Sequence, residues 1–498
     1  MLRPTLFWLA PLLGLALLPL PMRAESLFLT GQLTLCQSDR MTHCQRTAID
    51  PLQLRSAYRG PQLSLSESTL AQLDGPVLGL SPDALTAMRL GLRAIAEELG
   101  DPDLSAEAFW QTLEPEPKWL TSLNGAQRLW LQDALERPQT DRYGTRKRAT
   151  AWPSAGHTPA TERVIERLIS RLKQRQSKPT LVVMSSGNRD PFAASDAVLS
   201  LFADADITVH WLPLDASLQA ARQAHQCHKL EQYRQQVQGN LNRQRLYPKR
   251  VAYQQQVCLQ PELAMHWLDK ADGIYIADGA ADLVRASLMT AEGEATPDLK
   301  RVLQRFMNDD LLLAASGGAA SALVELLSES VESWQDSELE TQPVLTGLLM
   351  TGTVNQLAIE ANTALRIDAG EWQVVGEGGV WLYQRQHQLN HFLQAGDRAR
   401  GAPSALTVHL AHPRVKEQDQ QDAPLVLPLD EAALLMPTDA LCHSTQQQAL
   451  GQFEAGTAPM GAVWTVTEAS QFGVTDGGRC SYHHIKLEVG VVGTPQSP

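Results

Sequence analysis

Through the middle of the chain, short unbroken apolar runs alternate with stretches whose apolar residues recur at helical spacing. Thr180-Leu-Val-Val-Met184, Ile207-Thr-Val-His-Trp-Leu212, Gly273-Ile-Tyr-Ile-Ala277 and Leu311-Leu-Leu-Ala-Ala315 read as strands buried on both faces. Ala193 to Ala203, Leu283 to Met289 and Pro297 to Asn308 read as the helices between them. This alternation predicts an α/β fold, with a doubly wound parallel sheet covered on both faces. Such sheets place their sites beyond the carboxyl ends of the strands. Asn188, Gly279 and Ser316 each follow one of these ends.

The flanking regions have other patterns. Leu27-Phe-Leu-Thr-Gly-Gln-Leu-Thr-Leu35 predicts a first strand running into a loop bounded by Cys36 and Cys44. Residues 60–178 are mostly helical in pattern: Pro82-Asp83-Ala84 follows the cap residue Ser81, and Thr161 to Leu172 repeats at helical spacing. Trp110, Trp119 and Trp130 read as packing residues of this insertion. Residues 216–258 form a Gln- and Arg-rich helical excursion. After Leu365 the pattern turns to β, residues 413–424 read as a linker, and a small strand-rich segment follows. The expected organisation is therefore a leader at 1–24, the first strand and cysteine loop at 25–59, and a helical insertion at 60–178. An α/β core at 179–412 and a β-rich C-terminal extension at 413–498 complete it.

The leader changes the picture. Arg3, the apolar run Leu6 to Leu20 and the exit Met22-Arg23-Ala24 have the three parts of a secretory signal peptide. A membrane anchor is the alternative, but Pro11 and Pro19 interrupt a run already short for a span. Export to a secreted or periplasmic location is the expectation, with no membrane association after cleavage. The six cysteines agree with an oxidising compartment. They lie in neighbouring pairs, Cys36 with Cys44, Cys227 with Cys258 and Cys442 with Cys480, among 15 possible connectivities. The absence of a Cys-x-x-Cys spacing argues against zinc or redox chemistry, so neither metal nor cofactor is expected. The formal charge of −13 becomes −15 without Arg3 and Arg23, which argues against a nucleic-acid partner.

Ser316 is the candidate for chemistry. An apolar strand breaks at Ser316-Gly317-Gly318 into small residues. Such a turn can expose a serine hydroxyl beside the free N–H groups of a helix start. The bland reading is a small-residue turn that packs a helix onto a sheet.

Several segments together resemble the secreted branch of the cyanophycinase family, serine peptidases of the S51 class. They are Leu27 to Cys36 with Cys44, Ser185-Ser-Gly-Asn188, Trp211-Leu-Pro-Leu-Asp215, Ala271 to Ala286, Ala315-Ser-Gly-Gly-Ala319, Ile359 to Leu365, Gly376-Glu-Gly-Gly-Val380 and Ala395-Gly-Asp-Arg398. The resemblance covers residues 27–50 and 178–400. It implies a class I glutamine amidotransferase-like core and cleavage of cyanophycin, an arginine-bearing poly-aspartate, to β-aspartyl-arginine. By that resemblance Ser316 is the nucleophile and the N–H groups of Gly317 and Gly279 are the oxyanion donors. The partner implied is an arginine-bearing acidic polymer or peptide; oligomeric state is left open.

The chain departs from the family pattern at the chemistry. Asp278-Gly279-Ala280-Ala281 stands where the family has Gly-Gly-Asp-Gln, and Gly347 to Ile359 holds no histidine where the family has its base. His387, His391, His483 and His484 are the replacement bases available nearby. The expectation is an exported serine-hydrolase homologue; the alternatives are a non-catalytic relative binding a peptide or polymer in the remnant cleft, or an interaction protein working through its added segments.

Overall fold

The computed structural model describes residues 26–100, 103–332, 356–368, 370–384, 387–402, 405–416, 423–428, 436–455, 458–475 and 477–491. The expected leader at 1–24 and most of the interval 347–359 lie outside these residues. Helices and strands fall close to the predicted positions. Ser81 caps the helix Pro82–Leu99 by accepting from Ala84 N. The helices Pro159–Arg175, Pro191–Leu201, Ala281–Leu288 and Pro297–Met307 follow their apolar spacing.

Strand β1 is Ser26–Thr30; β2, Gln62–Ser64, and β3, Asp103–Ser105, form a two-stranded sheet inside the insertion. The predicted strands of the core are β4 at Thr180–Met184, β5 at Thr208–Trp211, β6 at Gly273–Ile276 and β7 at Leu312–Ser316. Further along come β8 at Gln356–Ile359, β9 at Thr363–Asp368, β10 at Glu371–Gly376, β11 at Gly379–Gln384 and β12 at Leu389–Gln394. Then follow β13 at Arg398–Ala402, β14 at Ala405–His409, β15 at Pro413–Arg414 and β16 at Leu425–Pro428. The last three are β17 at Gln448–Ala455, β18 at Ala458–Val474 and β19 at Cys480–Val491.

The large sheet has nine strands in the order β14-β13-β10-β9-β1-β7-β6-β4-β5. The half from β1 to β5 is parallel, and the half from β9 to β14 is antiparallel. The fold is thus mixed α/β, where a wholly parallel sheet was expected. Parallel neighbours need a crossover segment, but only two residues separate β9 from β10 in sequence, a length that only an antiparallel pair can use.

Both faces of the parallel half are covered. Leu27, Leu29, Val182, Met184, Ile274, Ile276, Leu313 and Ala315 pack into a core with Val284, Leu299 and Phe306 from helices on one face. Phe28, Leu181, Val183, Tyr275, Leu312 and Ala314 pack with Val164, Leu168 and Phe202 on the other. The period-2 alternation of strands assigns each residue its face.

The second sheet runs β16-β17-β18-β19-β12-β11-β8, with β15 beside β18. Strands from either side of residue 412 therefore share one sheet, and the expected boundary at 412/413 does not separate two units. Phe392, Trp464, Phe472 and Tyr482 form its core. Three disulfides join Cys36 to Cys44, Cys227 to Cys258 and Cys442 to Cys480. Among the described residues no helix is long and apolar enough to cross a membrane.

Candidate functional site

Ser316 is the last residue of β7 and is 1% exposed. Tyr275 on β6 pairs with Ala314, two residues before Ser316 on the adjacent strand. Period-2 geometry therefore sets Tyr275 and Ser316 on the same face as diagonal neighbours. Their hydroxyl oxygens lie 3.0 Å apart. Burial pushes the Tyr275 hydroxyl up to about 12; the bond to Ser316 opposes the shift and Asp278 adds to it. At neutral pH this tyrosine keeps its proton, so it cannot take one from Ser316.

Three strand ends meet around the serine. Gly187, after β4, and Gly279, after β6, come so close that a Cβ on Gly279 would sit 2.4 Å from the Gly187 backbone. Only glycine permits that approach. Asn188 Nδ2 donates to the Asp278 carbonyl oxygen at 2.9 Å, and Ala280 N donates to the Gly187 carbonyl oxygen at 2.8 Å. Gly317 adopts φ +53°, and a Cβ there would meet Asp278 Oδ1 at 1.9 Å.

The N–H groups of Gly317 and Gly318, the two residues after Ser316, are occupied. Gly317 N–H donates to the Thr30 carbonyl oxygen at 2.9 Å, continuing the pairing of β1 with β7. Gly318 N–H, at the start of the helix Gly318–Glu332, donates to Asp278 Oδ1 at 3.0 Å. The Asp278 side chain thus sits at the positive end of this helix, the place that would otherwise hold an anion. Gly317, expected as an oxyanion donor, does not have a free N–H because β-pairing uses it. Gly279 lines the cavity and makes no backbone hydrogen bond through its N–H among the described residues.

Ser316, Tyr275, Asp278, Gly279 and Asn188 share the wall of a cavity of about 430 Å³ with Asp39 and Arg40. Those last two project from the loop closed by Cys36–Cys44, so that disulfide shapes the mouth. Arg189 and Asp190 also line it but are engaged elsewhere. Arg189 binds Asp133 at 2.8 and 2.9 Å, and Asp190 caps the helix Pro191–Leu201 and pairs with Arg243.

Arg243 ties the insertion to this wall. Its guanidinium, 1% exposed, contacts Asp133, Glu136 and Asp190. Tyr58 also donates to Glu136, at 3.1 Å. Burial pushes the Glu136 carboxyl up to about 7, against the opposing pull of Arg243 and with Asp190 and Asp133 adding to the rise. The folded state then holds this proton more tightly than the unfolded state. The stabilisation is complete below the unfolded value of 4.5 and is lost as pH rises through about 7. The denaturation midpoint should accordingly fall between about pH 5 and pH 8, and Glu136→Gln should flatten that slope; urea titrations across the range would read it.

None of the candidate histidines lines this cavity. His387 is exposed between β11 and β12, while His391, His483 and His484 gather within the second sheet. Tyr275 and Asp278 are the site residues that the sequence reading missed. The signal was present in Tyr275, a hydroxyl-bearing residue inside an otherwise apolar strand.

No family model matches the chain, and no curated protein matches it. Among solved structures it is similar to one titled "Crystal structure of a peptidase from an acI-B1 Actinobacterium", at 14% identity and a TM-score of 0.29. That match covers 48% of this chain and 91% of the other. A likeness at this level assigns neither fold nor activity.

Proposed function

We propose that this chain is an exported relative of the cyanophycinase-like serine hydrolases, built on a class I glutamine amidotransferase-like scaffold, that binds an arginine-bearing peptide without cleaving it. The observation that carries this reading is the pairing of Ser316 with Tyr275, a group that cannot act as its base. A serine hydroxyl is a poor nucleophile until a neighbour removes its proton. Asp278 adds a second obstacle, because a carboxylate at the helix start repels the negative charge of a tetrahedral intermediate that an oxyanion site must attract.

The same groups suit binding. The cavity volume lies in the range of small-ligand sites. Asp39 and Asp278 offer carboxylates to a guanidinium, and Arg40 offers a cation to a ligand carboxylate. β-Aspartyl-arginine carries both kinds of group. The three disulfides support an oxidising location for the folded protein.

The test pairs cleavage with binding. Purified protein, with leader removed and disulfides formed, is incubated with cyanophycin and titrated calorimetrically with β-aspartyl-arginine. The expected result is saturable binding, weakened about tenfold or more by Asp278→Asn, which removes one charge-assisted contact. Release of β-aspartyl-arginine should be no greater than from Ser316→Ala. Release that depends on Ser316 would overturn the reading.

A further inference from the structure

Three imidazoles converge in the second sheet on groups that the Ser316 cavity does not use. Strands β12 and β19 pair Asn390 with Ile485 and Phe392 with Tyr482, so His483 and His484 together oppose the single residue His391. An extra residue of this kind is a β-bulge, and it re-aims side chains that would otherwise alternate between faces. His484 adopts φ +61°, in the left-handed region that few non-glycine residues enter. Ser470 Oγ and Thr467 Oγ1 donate to the His484 carbonyl oxygen at 2.7 and 3.2 Å and hold the bulge in place. The register of β19 with β18 also shifts there, between Val466 and Gln471.

The result is a cluster in which one ring nitrogen from each histidine lies within 4.8 Å of the others. The Nδ1 atoms of His483 and His484 are 2.5 Å apart, closer than the roughly 2.7 Å lower end of ordinary hydrogen bonds. His483 is 6% exposed, yet its Nε2 has no hydrogen-bond partner among the described residues. His391 Nε2 lies 3.1 Å from Gln384 Oε1, an atom that only accepts, so the proton belongs on Nε2. Its Nδ1 then accepts a hydrogen bond from the His484 backbone N–H at 3.3 Å, a long contact that a metal ion on this nitrogen would replace. Fixing one ring nitrogen with an oxygen acceptor so that the other presents its lone pair is how metal-bound histidines are oriented.

We infer that His391, His483 and His484 form a binding site for a divalent transition metal of the zinc class. Tetrahedral bonds of about 2.0–2.1 Å set ligand nitrogens roughly 3.3 Å apart. That spacing lies above the 2.5 Å between the His483 and His484 Nδ1 atoms and inside the 4.8 Å within which one nitrogen of each ring lies from the others. An all-imidazole donor set favours zinc, copper or nickel over magnesium or calcium. The ion would tie β12 to β19 across the bulge and leave a fourth position for water. Cysteine spacing does not reveal this site, because its donors are imidazoles from strands 93 residues apart in sequence at their widest.

The full chain, with its disulfides intact, would be stripped with a chelator and then titrated with zinc chloride and with cobalt chloride. Expected results are one zinc per chain after gel filtration, the visible absorption of four-coordinate cobalt, and a denaturation midpoint that rises with zinc. His484→Gln, at a half-buried position, should fold and bind zinc roughly 100-fold or more weakly; Gln384→Leu should weaken binding about 10–100-fold by freeing the His391 ring. A folded wild-type chain that takes up no zinc, with a midpoint indifferent to it, would overturn the proposal. So would equal uptake by wild type and by folded His484→Gln.

Discussion

Arg243→Met should lower the stability of the folded chain by about 3–5 kcal/mol, the range for removing one partner of a buried ion cluster. The guanidinium faces Asp133 and Glu136 of the insertion and Asp190 at the start of a core helix. Burial opposes its charge, but these carboxylates together hold it protonated above its usual value. Without it, three carboxyl groups, two of them almost wholly buried, crowd together with no cation between them. Asp133 retains Arg189 at 2.8 Å and the Leu241 N–H at 2.9 Å, so Glu136 and Asp190 bear most of the loss. Urea denaturation of the variant would read the effect. The double variant with Glu136→Gln should lose less than the sum of the two single changes, since it removes charge from both sides of the pair. A loss under about 1 kcal/mol from Arg243→Met would show that this ion cluster adds little to the stability of the folded chain. Because Asp190 lines the cavity, the variant should also weaken ligand binding.

The second large effect is expected from the disulfide on the opposite face of the sheet. Replacing Cys227 and Cys258 together by alanine should cost about 4 kcal/mol, from the chain entropy released when a closure spanning 31 residues opens. Both half-cystines belong to the core against the sheet face turned away from Tyr275 and Ser316, so ligand affinity should persist wherever the variant remains folded. The pair Cys36–Cys44 offers the contrast. Its closure spans 8 residues, for which the same model gives about 2.5 kcal/mol. Asp39 and Arg40 ride on that loop, so its loss should reduce affinity more than stability. Denaturation midpoints and calorimetric titrations of the two double-alanine variants would separate these roles; equal loss of affinity from both would contradict the assignment of the loop to the cavity mouth.

Much of the α/β half was legible from local pattern. β4, β6 and β7 lie where continuous apolar runs place them, because a strand buried on both faces has no polar positions to interrupt it. The antiparallel half was legible as strands but not as partners: β11 and β12 lie beside β13 in sequence, yet belong to the other sheet. Pairing is a long-range choice, and residue periodicity carries no record of which edge a strand joins.

At the candidate site the same division holds. The apolar run ending at Ser316-Gly317-Gly318 determined that a serine closes a buried strand, and the cysteine spacing pointed to the local pairs that the disulfides adopt. What surrounds the serine was decided by register. Tyr275 reaches it because β6 and β7 align residue 275 with 314, and Asp278 meets Gly318 N–H because glycines 187 and 279 let two strand ends close together. The histidines depend on register too, since the bulge at 483–484 turns neighbours in sequence toward a residue on another strand. The strands, the helices and the residue at the turn follow from interactions among near neighbours, which is why local pattern reveals them. Which side chains share a space emerges with the folded chain, because it depends on contacts between segments tens to hundreds of residues apart.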